Sequence, residues 1–317
     1  ISRKQAFASG LASGLLILAQ GIAILCSTYV GIIAFTEGKI DGALLAVLAM
    51  IPMAAFESVS NFPNAALALA RVRSSANRLI EVMDKPDPIQ EPDQSAPLKS
   101  TEIKLTNASA SWLDKSSVSD VNFVVPQGTS LGLVGPSGSG KSTIIAILQK
   151  FLPLKSGKYE LGGVDSTELT GQAIREKLIL SSPEQHIFAT SIAENLRLAS
   201  DHPQQLTDEQ MWNALEQVQL ANWVRALPKQ LETVIGERGS TMSGGQKQRL
   251  SLARLFIANP QVWLLDEPTE HLDSVLADQI MDNVIAATKD HSLIVASHRL
   301  ADTASLDQVY RVSSPQE

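Results

Sequence analysis

The chain has 317 residues, of which 44% are hydrophobic and 19% charged, and its length allows two domains at about 100–200 residues each. A formal net charge of -7 argues against a nucleic-acid binder, which would need Lys and Arg concentrated on one face to contact phosphates. The single cysteine, Cys26, excludes an internal disulfide framework, and its position in an apolar run is typical of a packing residue.

The first predicted element is a transmembrane helix. Ala6 to Phe35 contains no Asp, Glu, Lys or Arg, and at about 1.5 Å per helical residue this run is longer than a hydrocarbon core of about 30 Å. A secretory signal is the alternative interpretation. It is disfavoured because the apolar region of a signal spans only about 7–15 residues.

A second apolar run, Gly42–Ala70, contains one charge, Glu57, and two prolines, Pro52 and Pro63, that can kink a helix inside a bundle. We expect a second spanning helix here. A charged side chain in a span costs about 2.5–3.5 kcal/mol on insertion scales, so Glu57 should face a partner, an aqueous path or the interior of the bundle. The sequence does not distinguish among these positions.

Basic residues flank the two spans at Arg3, Lys4, Arg71, Arg73 and Arg78. The short connection between the spans carries only Lys39, so the positive-inside rule places both ends in the cytoplasm. Two helices cannot enclose a substrate path, and the chain begins at Ile1 rather than Met. We therefore expect it to be the end of a longer polypeptide, with residues 1–83 forming the last part of a transmembrane domain.

Residues 84–100 are rich in Pro and acidic side chains, which predicts an exposed linker. Beyond it, residues 101–317 show short β-type runs that alternate with helical patterns, which indicates an α/β domain. The predicted strands are Glu102–Leu105, Asn122–Val125, Ser130–Val134, Lys177–Leu180, Val262–Leu265 and Ser292–Ala296. The stretch from Ser191 to Ala258 is instead mostly helical in pattern.

A complete G-x-x-x-x-G-K-[ST] motif follows the strand Ser130–Val134 and precedes a helical run, the context expected of a phosphate-binding P-loop. Its backbone N–H groups and the helix N-terminus would bind phosphate oxygens, Lys141 would reach the β- and γ-phosphates, and Ser142 would bind Mg²⁺. The candidate nucleotide-binding residues of this motif are Gly135, Ser137, Gly138, Ser139, Gly140, Lys141, Ser142 and Thr143.

Two carboxylates end a second apolar strand, in the run Val262-Trp-Leu-Leu-Asp266-Glu267. We expect Asp266 to hold Mg²⁺ and Glu267 to polarise the attacking water as the catalytic base. An apolar strand that ends in acids is weak evidence alone. It gains weight beside a P-loop, because parallel strands of such sheets converge at one end on the same crevice.

A third motif, Ser243-Gly244-Gly245-Gln246, predicts a turn that caps a helix and offers another anion-binding helix start. With the P-loop, it makes residues from Thr101 to the C-terminus resemble the ATP-binding cassette (ABC) family. The resemblance implies an α/β P-loop NTPase with a helical subdomain, ATP and Mg²⁺ as ligands, and ATPase activity. It also implies that this signature motif contacts the ATP bound by a partner domain.

Other positions are assigned by the same resemblance. Trp112 resembles the aromatic residue that stacks on adenine, with a surface tryptophan as the alternative, and His298 resembles the switch histidine that senses the γ-phosphate. Leu272-Asp273 resembles the loop that communicates between two ATP sites, although Glu270 and His271 replace the small residues usual there.

One position departs from the family pattern. The glutamine that should bind Mg²⁺ falls on Pro183, and only a gapped alignment gives Gln185 that metal- and nucleotide-binding role. The run Thr233–Gly239 resembles the loop that precedes the signature in ABC exporters and contacts the membrane domain, which favours export over import.

The resemblance can be narrowed by Ala54-Ala-Phe-Glu57 and by the run Asp266–Asp273, which are similar to the CydC-type subunit of the CydDC heterodimer. It implies ATP-driven export of a thiol such as cysteine or glutathione in support of cytochrome assembly. The implied partners are a second, different half-transporter, a small-molecule cargo and the bacterial cytoplasmic membrane, and not nucleic acid. The alternatives are a soluble ABC ATPase acting on nucleic acid or ribosomes, and a regulatory half-subunit that binds ATP but hydrolyses little.

Overall fold

The computed structural model describes residues 3–59, 62–85, 87, 89–112, 115–183, 185–236 and 241–313. The chain divides into two compact units, Ile1–Pro86 and Asp87–Glu317. The second unit contains every residue of the candidate site.

The first unit consists of three helices, α1 (Arg3–Thr36), α2 (Gly42–Val59) and α3 (Phe62–Met83). Within the described residues, one stretch, Ser13–Thr36, is long and apolar enough to cross a membrane, whereas Gly42–Ser58 forms a shorter apolar helix. The second expected span is thus divided between α2 and the start of α3. Most large apolar side chains of α1 are exposed, a surface that water does not favour and lipid would cover.

Small residues let α1 and α2 approach closely. A Cβ atom on Gly31 would lie 2.7 Å from Leu45 Cδ1, so this glycine makes room for the leucine of the neighbouring helix. The Ser27 hydroxyl donates a hydrogen bond of 2.6 Å to the Leu48 carbonyl oxygen. Small side chains and interhelical hydrogen bonds of this kind stabilise helix pairs in membranes.

The second unit contains two β-sheets. The strands are β1 (Ile103–Trp112), β2 (Lys115–Val125), β3 (Ser130–Val134), β4 (Ser156–Leu161), β5 (Val164–Asp165), β6 (Leu178–Ser181), β7 (Val262–Asp266), β8 (Ser292–Ser297) and β9 (Gln308–Arg311). The antiparallel sheet has the order β2-β1-β4-β5, and the fully parallel sheet has the order β6-β7-β8-β3-β9. Strands are found at all six predicted positions, and the predicted α/β class is confirmed.

Seven helices complete the described part of this unit. They are α4 (Lys141–Leu148), α5 (Gly171–Lys177), α6 (Ile192–Arg197), α7 (Asp208–Gln217), α8 (Ala221–Arg225), α9 (Gly244–Ala258) and α10 (Ser274–Ala287). Helices α6 to α9 form the subdomain that the helical pattern between Ser191 and Ala258 predicts. Arg254 of α9 ties this subdomain together by donating hydrogen bonds to the carbonyl oxygens of Asn195 and His186 at 2.9 and 2.8 Å.

The parallel sheet lies between two hydrophobic cores. One core contains Leu133, Ile144 and Leu264 and includes the antiparallel sheet, and the other contains Leu215 and Val295 and includes the helical subdomain. All six residues of β8 are buried, and so are the first four of β7. Continuous apolar strands are expected where both faces of a parallel sheet are covered.

Most of the expected linker, residues 84–100, belongs to the second unit and forms hydrogen bonds with other residues of that unit. The Ala96 N–H donates to the Glu168 carbonyl oxygen at 3.0 Å, and Glu91 Oε2 accepts from the Gly171 N–H at 2.8 Å. Glu91 Oε2 also lies 3.7 Å from Lys150 Nζ. Glu91, one of the acids that predict solvent exposure here, thus binds a backbone N–H and lies near a lysine of the same unit.

Candidate functional site

Three neighbouring parallel strands, β7, β8 and β3, bring the predicted site residues to one edge of the sheet. The P-loop follows β3, Asp266 ends β7, and His298 follows β8. P-loop residues, Glu267 and His298 border a cavity of about 650 Å³, and Asp266 directly precedes the lining residue Glu267. Its lining residues are Ser117, Ser137, Gly138, Gly140, Lys141, Ser142, Thr143, Glu267, Glu270 and His298.

The P-loop backbone requires glycine at two positions for different reasons. Gly140 has a φ of 102°, a conformation that side-chain-bearing residues rarely adopt. A Cβ atom on Gly135 would lie 2.6 Å from the Val312 carbonyl oxygen, so no side chain fits there. Helix α4 begins directly after this loop, at Lys141, and therefore presents its N-terminus at the cavity, where an anion is stabilised.

Lys141 is buried at the base of the cavity. Its ammonium group donates to the carbonyl oxygens of Gly135 and Pro136 at 2.9 and 3.2 Å. Its Nζ atom also lies 3.6 Å from Glu267 Oε1. The side chain thus places a positive charge between the P-loop and the carboxylates that follow β7.

Asp266 is a half-buried carboxylate beside the P-loop, and its Oδ1 atom is fully buried. Burial raises its pKa, the hydrogen bond from Ser142 opposes this shift, and the neighbouring charge of Glu267 adds to it. Among the described residues, Asp266 Oδ1 and the fully buried Ser139 Oγ have no hydrogen-bond partner. Buried oxygens without partners are costly unless a ligand completes their bonding, so Asp266 and Ser142 fit a divalent cation held together with phosphate oxygens.

Glu267 is held in a strained backbone conformation next to His298. Its φ of 47° lies in the left-handed region, which is unfavourable for a residue with a side chain. Its N–H donates to the Ala296 carbonyl oxygen at 2.8 Å, and its own carbonyl oxygen accepts from Gln248 Nε2. Glu267 Oε2 lies 2.7 Å from His298 Nδ1 and accepts from the His298 N–H at 3.2 Å. Strand β8 and helix α9 therefore hold this carboxylate at the edge of the cavity.

The signature motif forms the predicted helix start, but its residues do not line the P-loop cavity. Ser243 is the N-cap of α9, and a capping box joins its side chain to the Gln246 N–H at 3.3 Å and its N–H to Gln246 Oε1 at 2.8 Å. A Cβ atom on Gly245 would lie 3.0 Å from Leu272 Cδ2, so the loop before α10 packs on the turn. The lining of the P-loop cavity includes none of the four motif residues, Ser243, Gly244, Gly245 and Gln246.

Gln185 is not brought to the nucleotide cavity, and the expectation that it binds Mg²⁺ and nucleotide is not supported. Its side-chain amide donates to the Leu180 carbonyl oxygen and its Oε1 accepts from the Ser251 hydroxyl. It lines a separate cavity of about 1040 Å³ between β6 and α9. The turn after β6, in which the Gln185 N–H donates to the Ser182 carbonyl oxygen at 3.2 Å, directs the side chain back toward the strand.

Trp112 ends β1 with 51% of its surface exposed, and it is not among the residues that line the cavity. Its N–H donates to Ser117 Oγ at 3.3 Å, which places its backbone next to a lining residue. Ser117 lines the cavity, but no sequence motif marks it. Glu270 also lines the cavity, and the unusual glutamate at a position that is usually small was the sequence feature that could have indicated this.

The loop assigned to exporters, Thr233–Gly239, is described only in part. The Thr233 carbonyl oxygen accepts from the Ile192 N–H at 3.1 Å, and the Ile235 N–H donates to the Thr190 carbonyl oxygen at 3.0 Å. Glu237 and Gly239 lie outside the described residues. The assignment of this loop remains a prediction.

Comparison with known proteins identifies relatives of the whole chain. Residues 118–270 match the ABC transporter family. The chain is 29% identical to a probable ABC transporter ATP-binding/permease protein of Haemophilus influenzae, over 90% of this chain and 51% of that protein. It is 28% identical to a multidrug resistance ABC transporter ATP-binding and permease protein of Lactococcus lactis, over 100% of this chain and 53% of that protein. The chain thus spans about half the length of these relatives.

A eukaryotic relative and a solved structure show the same similarity. The chain is 31% identical to ABC transporter B family member 1 of Dictyostelium discoideum, over 98% of this chain and 34% of that protein. The structure of a bacterial Atm1-family ABC exporter with ATP bound superposes with a TM-score of 0.73 at 22% identity, covering 97% of this chain and 53% of that one. At this identity the superposition establishes a shared fold.

Proposed function

We propose that this chain, whose residues 118–270 match the ABC transporter family, hydrolyses ATP to drive export across a membrane. The cassette is an ATPase domain. One observation carries the proposal: Lys141, Glu267 and His298 border one cavity, in a chain that also has an apolar helix long enough to cross a membrane. The similarity to ABC exporters and multidrug transporters supports the direction of transport.

The P-loop would hold the nucleotide phosphates. Lys141, released from the Gly135 and Pro136 carbonyl oxygens, would contact the β- and γ-phosphates, and the N-terminus of α4 would stabilise their negative charge. Ser142 and Asp266 would hold Mg²⁺, which would supply positive charge to neutralise the phosphates. Trp112 is retained as the proposed adenine contact because its backbone adjoins the lining residue Ser117.

Hydrolysis needs a base beside the γ-phosphate. We assign this role to Glu267, which would accept the proton of a water molecule as its oxygen attacks the γ-phosphorus and the bond to the β-phosphate oxygen breaks. His298, in contact with Glu267 Oε2, would orient the carboxylate and donate to a γ-phosphate oxygen. Lys141 would stabilise the charge on the transferred group.

The signature motif would act on a second cassette. Ser243, Gly244, Gly245 and Gln246 stand apart from the chain's own P-loop cavity, which supports their proposed contact with ATP bound by a partner. Two cassettes closing on two ATP molecules would pull the membrane helices from inward-open to outward-open, and hydrolysis would reset them.

The partner, the cargo and the location are proposed from the resemblance to CydC-type subunits. On that basis the partner is a different half-transporter, the cargo is a thiol such as cysteine or glutathione that supports cytochrome assembly, and the location is the bacterial cytoplasmic membrane. The similar Lactococcus protein is described as a multidrug resistance transporter, so drugs are the competing cargo class. ATPase stimulation of the reconstituted full-length pair by each candidate would discriminate between them.

The variant Glu267→Gln tests the catalytic assignment. Removing a general base typically lowers the rate by about 10²–10⁴-fold, so turnover at this P-loop should be lost while ATP binding persists. Site-resolved ATPase assays and equilibrium ATP binding on the full-length transporter give both quantities, with Glu209→Gln on the exposed surface of α7 as the control. Unchanged turnover in Glu267→Gln would refute the assignment.

A second candidate function is a regulatory half-subunit that binds ATP and hydrolyses it slowly. Two observations favour this alternative. Gln185 lies outside the P-loop cavity, and Glu270 lines that cavity. The contact between Glu267 and His298 favours hydrolysis. Measuring turnover separately at the two sites of the assembled transporter distinguishes the two functions.

A further inference from the structure

A buried carboxylate, Asp302, lies behind the proposed catalytic pair. It belongs to the short helical turn Leu300–Thr303 that follows β8, and only 2% of its surface is exposed. The lining of the nucleotide cavity does not include it. A buried carboxylate is unfavourable unless its oxygens receive hydrogen bonds, so its partners show what holds it there.

The hydrogen bonds to Asp302 come from the two loops that carry the catalytic pair. Asp302 Oδ2 accepts from Thr269 Oγ1 at 2.6 Å and from Ser297 Oγ at 2.7 Å. Thr269 stands two residues after Glu267, and Ser297 directly precedes His298. One carboxylate thus joins the segments on which the base and the histidine stand.

This connection continues where the sheet ends. The register of β7 and β8 runs as far as Asp266 opposite Ala296, and the Glu267 N–H adds one last backbone hydrogen bond. Beyond that point, Asp302 links the two loops through side chains. Because Glu267 has a φ of 47°, its loop depends on such surrounding contacts to keep its conformation.

Arg299 and Thr303 fix Asp302 itself. Arg299 Nη1 donates to Asp302 Oδ1 at 3.0 Å, and Arg299 Nη2 donates to Asp278 Oδ1 of α10 at 2.8 Å. The guanidinium therefore compensates the buried charge and anchors it to a helix. On the other side, a Cβ atom on Gly132 would lie 2.7 Å from Thr303 Cβ, so the turn is packed directly against β3.

We propose that Asp302 is a positioning residue for ATP hydrolysis, holding Glu267 and His298 in mutual contact without touching the nucleotide. The inference rests on the proposed function, in which this pair performs the chemistry. A displacement of about 1 Å far from the reacting atoms can lower a rate about 10²-fold. Loss of Asp302 should therefore act on kcat and spare nucleotide binding.

The test compares ATP hydrolysis by the full-length transporter with Asp302→Asn against the wild type. We expect kcat to fall about tenfold or more while KM and the Kd for ATP stay within about twofold. Asp307→Asn is the matched control, because Asp307 also accepts from a serine hydroxyl, that of Ser130 at 2.7 Å, but does not line the cavity. An unchanged kcat in folded Asp302→Asn, or a rise in KM alone, would overturn the proposal.

A double-mutant cycle separates positioning from a general structural defect. In a His298→Ala background, Asp302→Asn should lower kcat by no more than about twofold, because the contact between Glu267 and His298 that Asp302 maintains is already lost. If the two losses multiply instead, Asp302 does not act through this contact and the proposal fails. Should the Asp302 variants fail to fold, Thr269→Val removes one hydrogen bond to the same carboxylate, and Thr269→Ser should restore kcat; an unchanged kcat in Thr269→Val would then count against the role.

Glu267→Gln, measured in parallel, keeps the two proposals distinguishable. If Glu267→Gln loses turnover while Asp302→Asn keeps the wild-type kcat, only the positioning role fails. If Glu267→Gln keeps wild-type turnover, the proposed base fails and the inference about Asp302 fails with it.

Discussion

At the scale of single residues, the contact between Glu267 and His298 illustrates how side chains from distant parts of the sequence acquire a joint role. The two residues are separated by helix α10 and strand β8, yet a carboxylate oxygen of one lies 2.7 Å from a ring nitrogen of the other. Adjacent parallel strands end at the same edge of the sheet, which brings the residues that follow them together.

Gln185 makes the opposite point, and it yields a prediction. Because its amide is bonded to Leu180 and Ser251, Gln185→Ala should leave the Mg²⁺ dependence of ATP binding within about twofold of wild type, whereas Asp266→Asn should weaken it. Equilibrium ATP binding titrated with Mg²⁺ measures both effects. An equal loss in both variants would return Gln185 to the metal site.

At the scale of elements, the predicted linker shows how an exposed segment can still be anchored. Its prolines and acids predict an exposed linker, and the exposed Glu91 accepts from the Gly171 N–H and lies near Lys150. The start of α5 is thus held by two groups: the Thr170 side chain accepts from the Ala173 N–H, and Glu91 accepts from the first residue of the helix.

Removing the hydrogen bond between Glu91 and the Gly171 N–H should destabilise the second unit. Glu91→Ala leaves a backbone donor without its partner, which we expect to cost about 1 kcal/mol, given that the glutamate is partly exposed. For a domain of this size that corresponds to a fall in Tm of about 2–4 °C. Thermal unfolding of the full-length protein measures it, with Asp93→Ala in the same segment as the control. The same Tm in both variants would show that the contact contributes nothing.

At the scale of the whole molecule, the exposed apolar surface of α1 favours the proposed membrane transporter over a soluble ABC ATPase. Ile17, Leu18 and Leu25 are more than 60% exposed, and Ser13–Thr36 has the length of a span. Such a surface in water would drive aggregation, whereas lipid covers it without cost.

Membrane fractionation tests this prediction directly. The full-length protein should sediment with membranes and stay there after washing with high salt or alkaline carbonate, because apolar burial is insensitive to both. Detergent should release it. Recovery in the soluble fraction without detergent would favour the soluble ATPase and contradict the transporter.

Three features of this protein can be predicted from the sequence alone, because each is formed by interactions among neighbouring residues. Glycines and a lysine at fixed spacing specify the P-loop, an apolar run followed by Asp266 and Glu267 specifies a buried strand with acids at its end, and Ser243 three residues before Gln246 specifies a capped helix start. Each depends on the backbone conformation and hydrogen bonds of a few neighbouring residues, so a short stretch of sequence suffices to predict it.

Contacts between side chains that are distant in the sequence become evident only in the folded structure. Gln185 could follow β6 into the nucleotide site or turn back to Ser251, and Ser117 and Asp302 carry no motif at all. Gln185 bonds to Ser251, 66 residues away, and Asp302 bonds to Thr269, 33 residues away, contacts that no local pattern encodes. Packing and the hydrogen bonds that buried polar groups require therefore settled the details of the site.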